Sequence, residues 1–202
     1  MEWGLCRTLC AVTETTRALR SDAERTVRTI LEAAERVLSR NPAASMEQIA
    51  EAAGVARTTV HRRFASREAL VDAMAAWATR RFAEAIDAAR PDTAPPLVAL
   101  YQATANVLRV KLDWGFAMSR ALSGDPEVAR VHADVDVRCE RLLRRAQEAG
   151  VLRADVDPLW ARRVYYALCH EATQERDGDP EALATRVVDT LLRGVGAGPG
   201  LA

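Results

Sequence analysis

Cysteine, histidine and aromatic residues are scarce in this 202-residue sequence, and each scarcity excludes a class of protein. The four cysteines, Cys6, Cys10, Cys139 and Cys169, are scattered without a Cys-x-x-Cys pair. None of the three histidines (His61, His132, His170) stands at zinc spacing from two of them. No structural metal and no cofactor is expected, and a chain of this length buries roughly 70% of its unfolded surface without a covalent staple. No apolar run approaches the ~18 residues a membrane span needs. The segment 3–12 is mildly apolar, but it lacks a preceding basic run and an Ala-x-Ala cleavage site. A reduced, cytoplasmic setting without membrane contact is the expectation. Net charge is missing too. The 28 basic and 28 acidic residues cancel, which argues against a protein that coats nucleic acid over its whole surface. Lysine is nearly absent: Lys111 is the one exception among 28 basic residues, a compositional bias without functional weight. What remains is 49% apolar and 28% charged, which excludes a disordered chain.

Strand signals are also lacking, and the chain reads as helix almost throughout. Residues 1–20 show no clean periodicity and are expected to form a mobile N-terminal extension. Over 22–40, Val27, Ile30, Leu31, Ala34, Val37 and Leu38 recur on one helical stripe, ended by Asn41-Pro42. Ser45 and Gln48 form a capping box for a short helix over 46–53, with Met46, Ile49 and Ala50 inward and Gly54 as its stop. A second short helix is predicted over 56–64 and a long one, capped by Ser66, over 67–89. The Pro-rich segment 91–96 is the one clear linker. Helices over 96–111 and 115–122 follow. Three Asp-Pro steps (Asp125-Pro126, Asp157-Pro158, Asp179-Pro180) then start helices over 126–149, 158–176 and 180–194, since aspartate favours the N-cap and proline the first helical position. The expectation is an all-α protein of about nine helices. It comprises a helix-turn-helix module at 21–66, a larger helical ligand-binding and dimerisation domain at 67–195, and a frayed tail at 196–202.

Two short helices joined at a glycine and backed by a longer one describe a helix-turn-helix. Ala50 lets the two helices cross closely, Gly54 makes the turn, and Val60 buries against the first of the pair. The other face of the second helix is left for the major groove. Between Gly54 and Arg67 stand Arg57, Arg62, Arg63 and Arg67 with no acid before Glu68. Residues 17–90 carry thirteen basic and ten acidic side chains, whereas residues 91–202 carry fourteen and sixteen. A neutral total therefore hides a basic N-terminal module, the distribution expected if only one end meets phosphate.

Ile30-Leu31-Glu32-Ala33-Ala34, followed by Ile49-Ala50-Glu51-Ala52-Ala53-Gly54-Val55-Ala56-Arg57-Thr58-Thr59-Val60-His61-Arg62-Arg63-Phe64-Ala65-Ser66-Arg67-Glu68-Ala69-Leu70, resembles the N-terminal domain of the TetR family of transcriptional regulators. Ala56, His61, Arg63 and Arg67 depart from that family's usual serine, tyrosine, histidine and lysine. The turn from Gly150 to Pro158 also looks like the one that often precedes the eighth helix of such proteins. The resemblance implies that Arg57, Thr58 and Thr59 reach base edges, with Arg57 able to fork onto guanine. It further implies that His61, Arg62 and Arg63 meet the DNA backbone. Ser45 and Arg67 lie at helix N-termini that favour phosphate.

The resemblance also implies that the helices over 158–176 and 180–194 pack on their mates in a second copy. Interface residues would be Val164, Leu168, Ala172, Val187, Val188, Leu191 and Leu192, unless these stripes are internal core. A small-molecule pocket would lie among the fourth to eighth helices. Its candidates are Tyr101, Thr104, Arg109, Trp114, Phe116, Met118, His132, Cys139, Tyr165 and Cys169, each of which also suits plain core. Cys169-His170 has no second cysteine nearby in sequence, against a metal or redox site. No Ser/His/Asp set, carboxylate pair or Gly-rich phosphate loop points to an enzyme. The expected protein is a sequence-specific DNA-binding regulator, a homodimer on a near-palindromic double-stranded operator, and a repressor released by a small-molecule effector. An activator of the same fold, or a partner-binding helical bundle, is the alternative.

Overall fold

The structure, a computed structural model, describes the backbone of residues 5–120 and 126–195 and the side chains of 22–120 and 126–194. Nine helices are found among these residues: α1 (Leu5–Leu38), α2 (Met46–Ala52), α3 (Arg57–Arg63), α4 (Arg67–Ala88), α5 (Pro96–Asp113), α6 (Gly115–Arg120), α7 (Pro126–Glu148), α8 (Pro158–Ala172) and α9 (Pro180–Val195). The fold is all-α, as the periodicity predicts. None of these helices is long and apolar enough to cross a membrane.

The first boundary differs from expectation. Helix α1 starts at Leu5, not near Asp22. Neither proline nor glycine occurs between Leu5 and Leu38, so the polar run at Thr13–Thr16 interrupts the apolar period without interrupting the backbone ladder. Residues 1–4 of the predicted extension and the predicted tail at 196–202 lie outside the described residues, as does Asp125.

The chain divides into two compact units, residues 1–74 and 75–202. The division falls within α4, so the first unit takes in the start of a helix that the sequence reading gave wholly to the second domain. In the first unit Ile30, Leu31, Ala34 and Leu38 of α1, Ile49 and Ala50 of α2, and Val60 of α3 are buried together with Phe64, Leu70 and Met74. Each large apolar side chain enclosed there contributes about 1.5–3 kcal/mol. The predicted stripe of α1 is thus inward, with Val27 and Val37 at its half-buried margin.

In the second unit α5 is the central element, in contact with α6, α7, α8 and α9. Leu100 and Leu108 belong to the main core with Leu143, Leu152, Leu183 and Leu191. Val107 belongs to a second cluster with Phe82, Ile86 and Val135. Two of the Asp-Pro starts act as the sequence requires. Asp157 accepts a hydrogen bond from the Leu159 N–H (3.1 Å), and Asp179 accepts one from the Ala182 N–H (2.9 Å). Helix α7 ends in a Schellman motif, in which Gly150 (φ +69°) donates to Gln147 and Val151 to Ala146.

Candidate DNA-binding surface and ligand cavity

In the first unit, local chemistry fixes α2 and α3. The Ser45 hydroxyl oxygen accepts from the Gln48 N–H (3.3 Å), and Gln48 Oε1 accepts from the Ser45 N–H (2.9 Å), completing the predicted capping box. Helix α2 closes on another Schellman motif. Gly54 (φ +65°) donates to the Glu51 carbonyl (3.0 Å) and Val55 to that of Ala50 (3.1 Å). Ala50 and Val60 are buried as predicted, which pins one side of α3 inward. Arg57, Thr58, His61, Arg62 and Arg63 are exposed and Thr59 is half-buried.

Four of the predicted residues are already engaged within the unit. The Arg57 guanidinium pairs with Glu47 (2.7 Å), and its Nε donates to His61 Nε2 (3.5 Å). Glu47 sits in the first turn of α2, where its own backbone N–H, then Ser45 and Arg57, hold the carboxyl below the usual range. Ser45 has its oxygen and N–H occupied by the cap, and its hydroxyl proton serves the Glu47 carboxylate. Arg67 donates from Nε to the Ala44 carbonyl (3.3 Å) and from its terminal nitrogen to that of Pro42. It braces the loop before α2. Arg62 and Arg63 have no acidic partner among the described residues.

The second unit holds a cavity of about 540 Å³. Its apolar wall comes from Phe82, Ile86, Val107, Met118, Val135 and Leu142. The polar lining is dominated by Lys111, His132, Asp136, Arg138, Tyr165 and Tyr166. Met118, His132, Cys139, Tyr165 and Cys169 of the predicted set line it. Burial raises the Cys139 thiol to about 12 and the Cys169 thiol to about 11, so at neutral pH both are part of an apolar wall and neither is a thiolate. The His132 Nε2 is buried without a hydrogen-bond partner among the described residues, and its ring lies 5.7 Å from that of Phe82.

The other five predicted cavity residues do not line it. Thr104 is fully buried behind Tyr165, 2.9 Å from its hydroxyl. Tyr101 turns to Asp189 of α9, and Arg109 pairs with Glu181 of the same helix. Phe116 lies under the Arg120 guanidinium at 5.5 Å. Trp114 caps α5 through its N–H to the Val110 carbonyl (2.9 Å). Tyr101, Thr104 and Arg109 of α5 and Phe116 of α6 thus belong to the right elements but are engaged by other neighbours. The sequence reading missed Phe82, Ile86 and Val107, which count as ordinary core on periodicity, and Lys111, whose only signal was that it is the sole lysine.

The predicted interface residues divide into two sets. Val187, Val188 and Leu191 are 4%, 0% and 1% exposed and belong to the core of the second unit, because α9 packs its apolar face on α5 and α8. Val164, Leu168, Ala172 and Leu192 are half-buried against that core. The outward side of α8 is formed instead by residues such as Trp160, Arg163 and Ala167, with Trp160 58% exposed.

Comparison with known proteins places both units. Residues 30–74 match the family profile of bacterial regulatory proteins of the tetR family, and residues 113–197 match that of the SbtR-like transcriptional regulator C-terminal domain. The HTH-type transcriptional repressor LfrR of Mycolicibacterium smegmatis is 34% identical over 181 residues, covering 87% of this chain and 90% of its own length. The crystal structure of LfrR in complex with proflavine aligns with a TM-score of 0.66 over 87% of this chain and 99% of that one, at 30% identity. The regulator PfmR of Thermus thermophilus shares the fold, with a TM-score of 0.69 over 81% of this chain and 97% of that one at 24% identity.

Proposed function

The chain belongs to the TetR family of transcriptional regulators, and from that premise we propose that it is a homodimeric repressor that leaves its operator when a small molecule fills the cavity of the second unit. The sense of regulation follows the repressor LfrR. The observation that carries the reading is α3, a short helix with one side anchored by Val60 and an exposed face of Arg57, Thr58, His61, Arg62 and Arg63. Such a rod fits a major groove about 12 Å wide.

Arg57 and Thr58 lie at the leading end of α3 and, with Thr59, are the proposed base readers. Arg57 exchanges Glu47 for the O6 and N7 of a guanine. The ion pair it gives up is exposed and therefore cheap to break, while the guanine contact discriminates by about 1–3 kcal/mol. His61, Arg62 and Arg63 take phosphates, and the Ser45 hydroxyl turns its proton from Glu47 to a phosphate oxygen. Arg67 is left out of this set because its guanidinium is occupied by Pro42 and Ala44. Dimerisation uses the outward side of α8, including Trp160 and Ala167, together with α9. A twofold pair presents two copies of α3 to a near-palindromic site. Ligand binding favours a conformer with lower operator affinity, and by linkage the operator disfavours ligand equally.

The test is selection of bound sequences from a random duplex pool, followed by mobility shifts with the full chain at rising salt. Binding should fall linearly in log–log form, and Arg62→Ala should reduce the slope by about one. Arg57→Ala should weaken binding and relax the preference at one base pair. Absence of any selected sequence, or affinity indifferent to salt, refutes the regulator reading; a monomer at micromolar concentration in light scattering refutes the dimer.

A further inference from the structure

Three formally charged side chains line the cavity of the second unit: Lys111, Asp136 and Arg138. Two of them are neutralised in place. Asp136 pairs with Arg162 (2.9 Å) and accepts a hydrogen bond from the Tyr166 hydroxyl (2.9 Å). The same Arg162 nitrogen also lies 3.4 Å from Glu140. Arg138 is bound by Asp87 and lies 3.6 Å from Asp134. Lys111 has no acidic partner among the described residues, although it is half-buried and on the wall. It carries a compact ammonium with three donors on a flexible stem, in a chain that otherwise uses arginine for its cations. In the same wall, the buried His132 Nε2 has no hydrogen-bond partner.

A half-buried cation without a counter-charge and a buried orphan ring nitrogen are both costly in a low-dielectric wall. The remaining surface, from Phe82, Ile86, Val107 and Met118, accepts an apolar body. We infer that this cavity selects an anionic ligand with a bulky apolar or aromatic body, of the aryl-carboxylate class, whose carboxylate is held by Lys111 with His132 Nε2 as a second polar anchor. The inference rests on the reading of the cavity as the effector site and names the charge of the effector. Asp136 does not make the site a cation receptor, because the Arg162 guanidinium and the Tyr166 hydroxyl already occupy it.

Two further observations agree. Burial holds the His132 imidazole below its usual 6.5 against the opposing pull of Asp136, and Lys111 adds to the lowering. The ring is therefore neutral and its Nε2 can donate or accept. Burial raises the Cys169 thiol, whereas Tyr165 and then Lys111 pull it back.

The test uses two acridines of opposite charge, acridine-9-carboxylate and proflavine, titrated by fluorescence into the full-length protein. The carboxylate is expected to bind at least about tenfold more tightly than proflavine. Lys111→Met should weaken the carboxylate about ten- to a hundredfold, the worth of one charge-assisted hydrogen bond, and leave proflavine unchanged or tighter. Lys111→Arg, which keeps the charge, should retain most of the carboxylate affinity and also shows that changes at this position fold. A preference for proflavine, binding of neither probe, or carboxylate selectivity that survives Lys111→Met overturns the inference. Operator binding by the same ligand-free preparations is a separate readout: it stands or falls with the regulator reading whichever probe binds.

Discussion

Behind the cavity, two hydroxyl groups offer a sharp test of how its wall is held. Thr104 Oγ1 lies 2.6 Å from the Leu100 carbonyl and 2.9 Å from the Tyr165 hydroxyl, and both side chains are buried. A threonine hydroxyl has one proton. It is donated to Leu100, so Tyr165 donates to Thr104. Burial raises the Tyr165 pKa well above its usual 10, which keeps that donor protonated at neutral pH.

Thr104→Val preserves shape and removes the acceptor, stranding the tyrosine hydroxyl beside Cys169, whose sulfur is only a weak acceptor. The expected loss is about 1–3 kcal/mol. Tyr165→Phe removes the donor but leaves Thr104 bonded to Leu100, at a cost of about 0.5–1.5 kcal/mol. The double variant leaves no orphan, so it should cost about 1 kcal/mol less than the two single losses combined. Urea denaturation of the ligand-free protein at one fixed concentration measures all three. Costs that add within ~0.5 kcal/mol, or a larger loss for Tyr165→Phe than for Thr104→Val, would refute the assigned direction of the bond.

Gly54→Ala should destabilise the first unit by about 1–2 kcal/mol through backbone strain alone, because φ is +65° while an added Cβ meets nothing within 4 Å. A neutral result in denaturation would contradict that backbone conformation. Arg67→Met should cost about 1–2 kcal/mol by freeing the Pro42 and Ala44 carbonyls while leaving the salt slope of operator binding unchanged. Unchanged stability with a slope reduced by about one would make Arg67 a phosphate contact after all. For His132, whose pKa is lowered on folding, the unfolded chain binds the proton first. Its stabilising effect is therefore complete above about pH 6.5 and lost as pH falls below that value. His132→Phe should lose less stability than the parent between about pH 7.5 and 5.5 in urea titrations, and a greater loss in the variant refutes the assignment.

Where the structure departs from the sequence reading, the departures share a cause. Thr104, Tyr101, Arg109 and Phe116 were sensible cavity candidates by chemistry and by element, yet each is consumed by a different neighbour. On α5, Thr104 faces Tyr165, and Tyr101 and Arg109 face α9. The direction of a side chain around a helix is set by what packs there. The same holds for Val187, Val188 and Leu191, whose apolar spacing suits a partner helix as well as α5 and α8. Spacing identifies an apolar face but carries no information about which apolar face will meet it.

The helix-turn-helix was readable because its determinants are neighbours in the chain. The capping box and the turn at Gly54 each involve only a few consecutive residues, and both are satisfied by hydrogen bonds within that short segment. The exposed arginines of α3 follow from the same short segment once Val60 is fixed inward. The cavity is a different matter. Phe82, Val107, Lys111, Val135 and Tyr165 come from four helices separated by long stretches of chain. Only their packing puts into one wall a lysine with no acidic partner and a histidine nitrogen with no hydrogen bond among the described residues. Local hydrogen bonding let the order of residues alone specify how the DNA-facing module is built, whereas long-range burial decided what the cavity's charge is and which apolar faces remain inside.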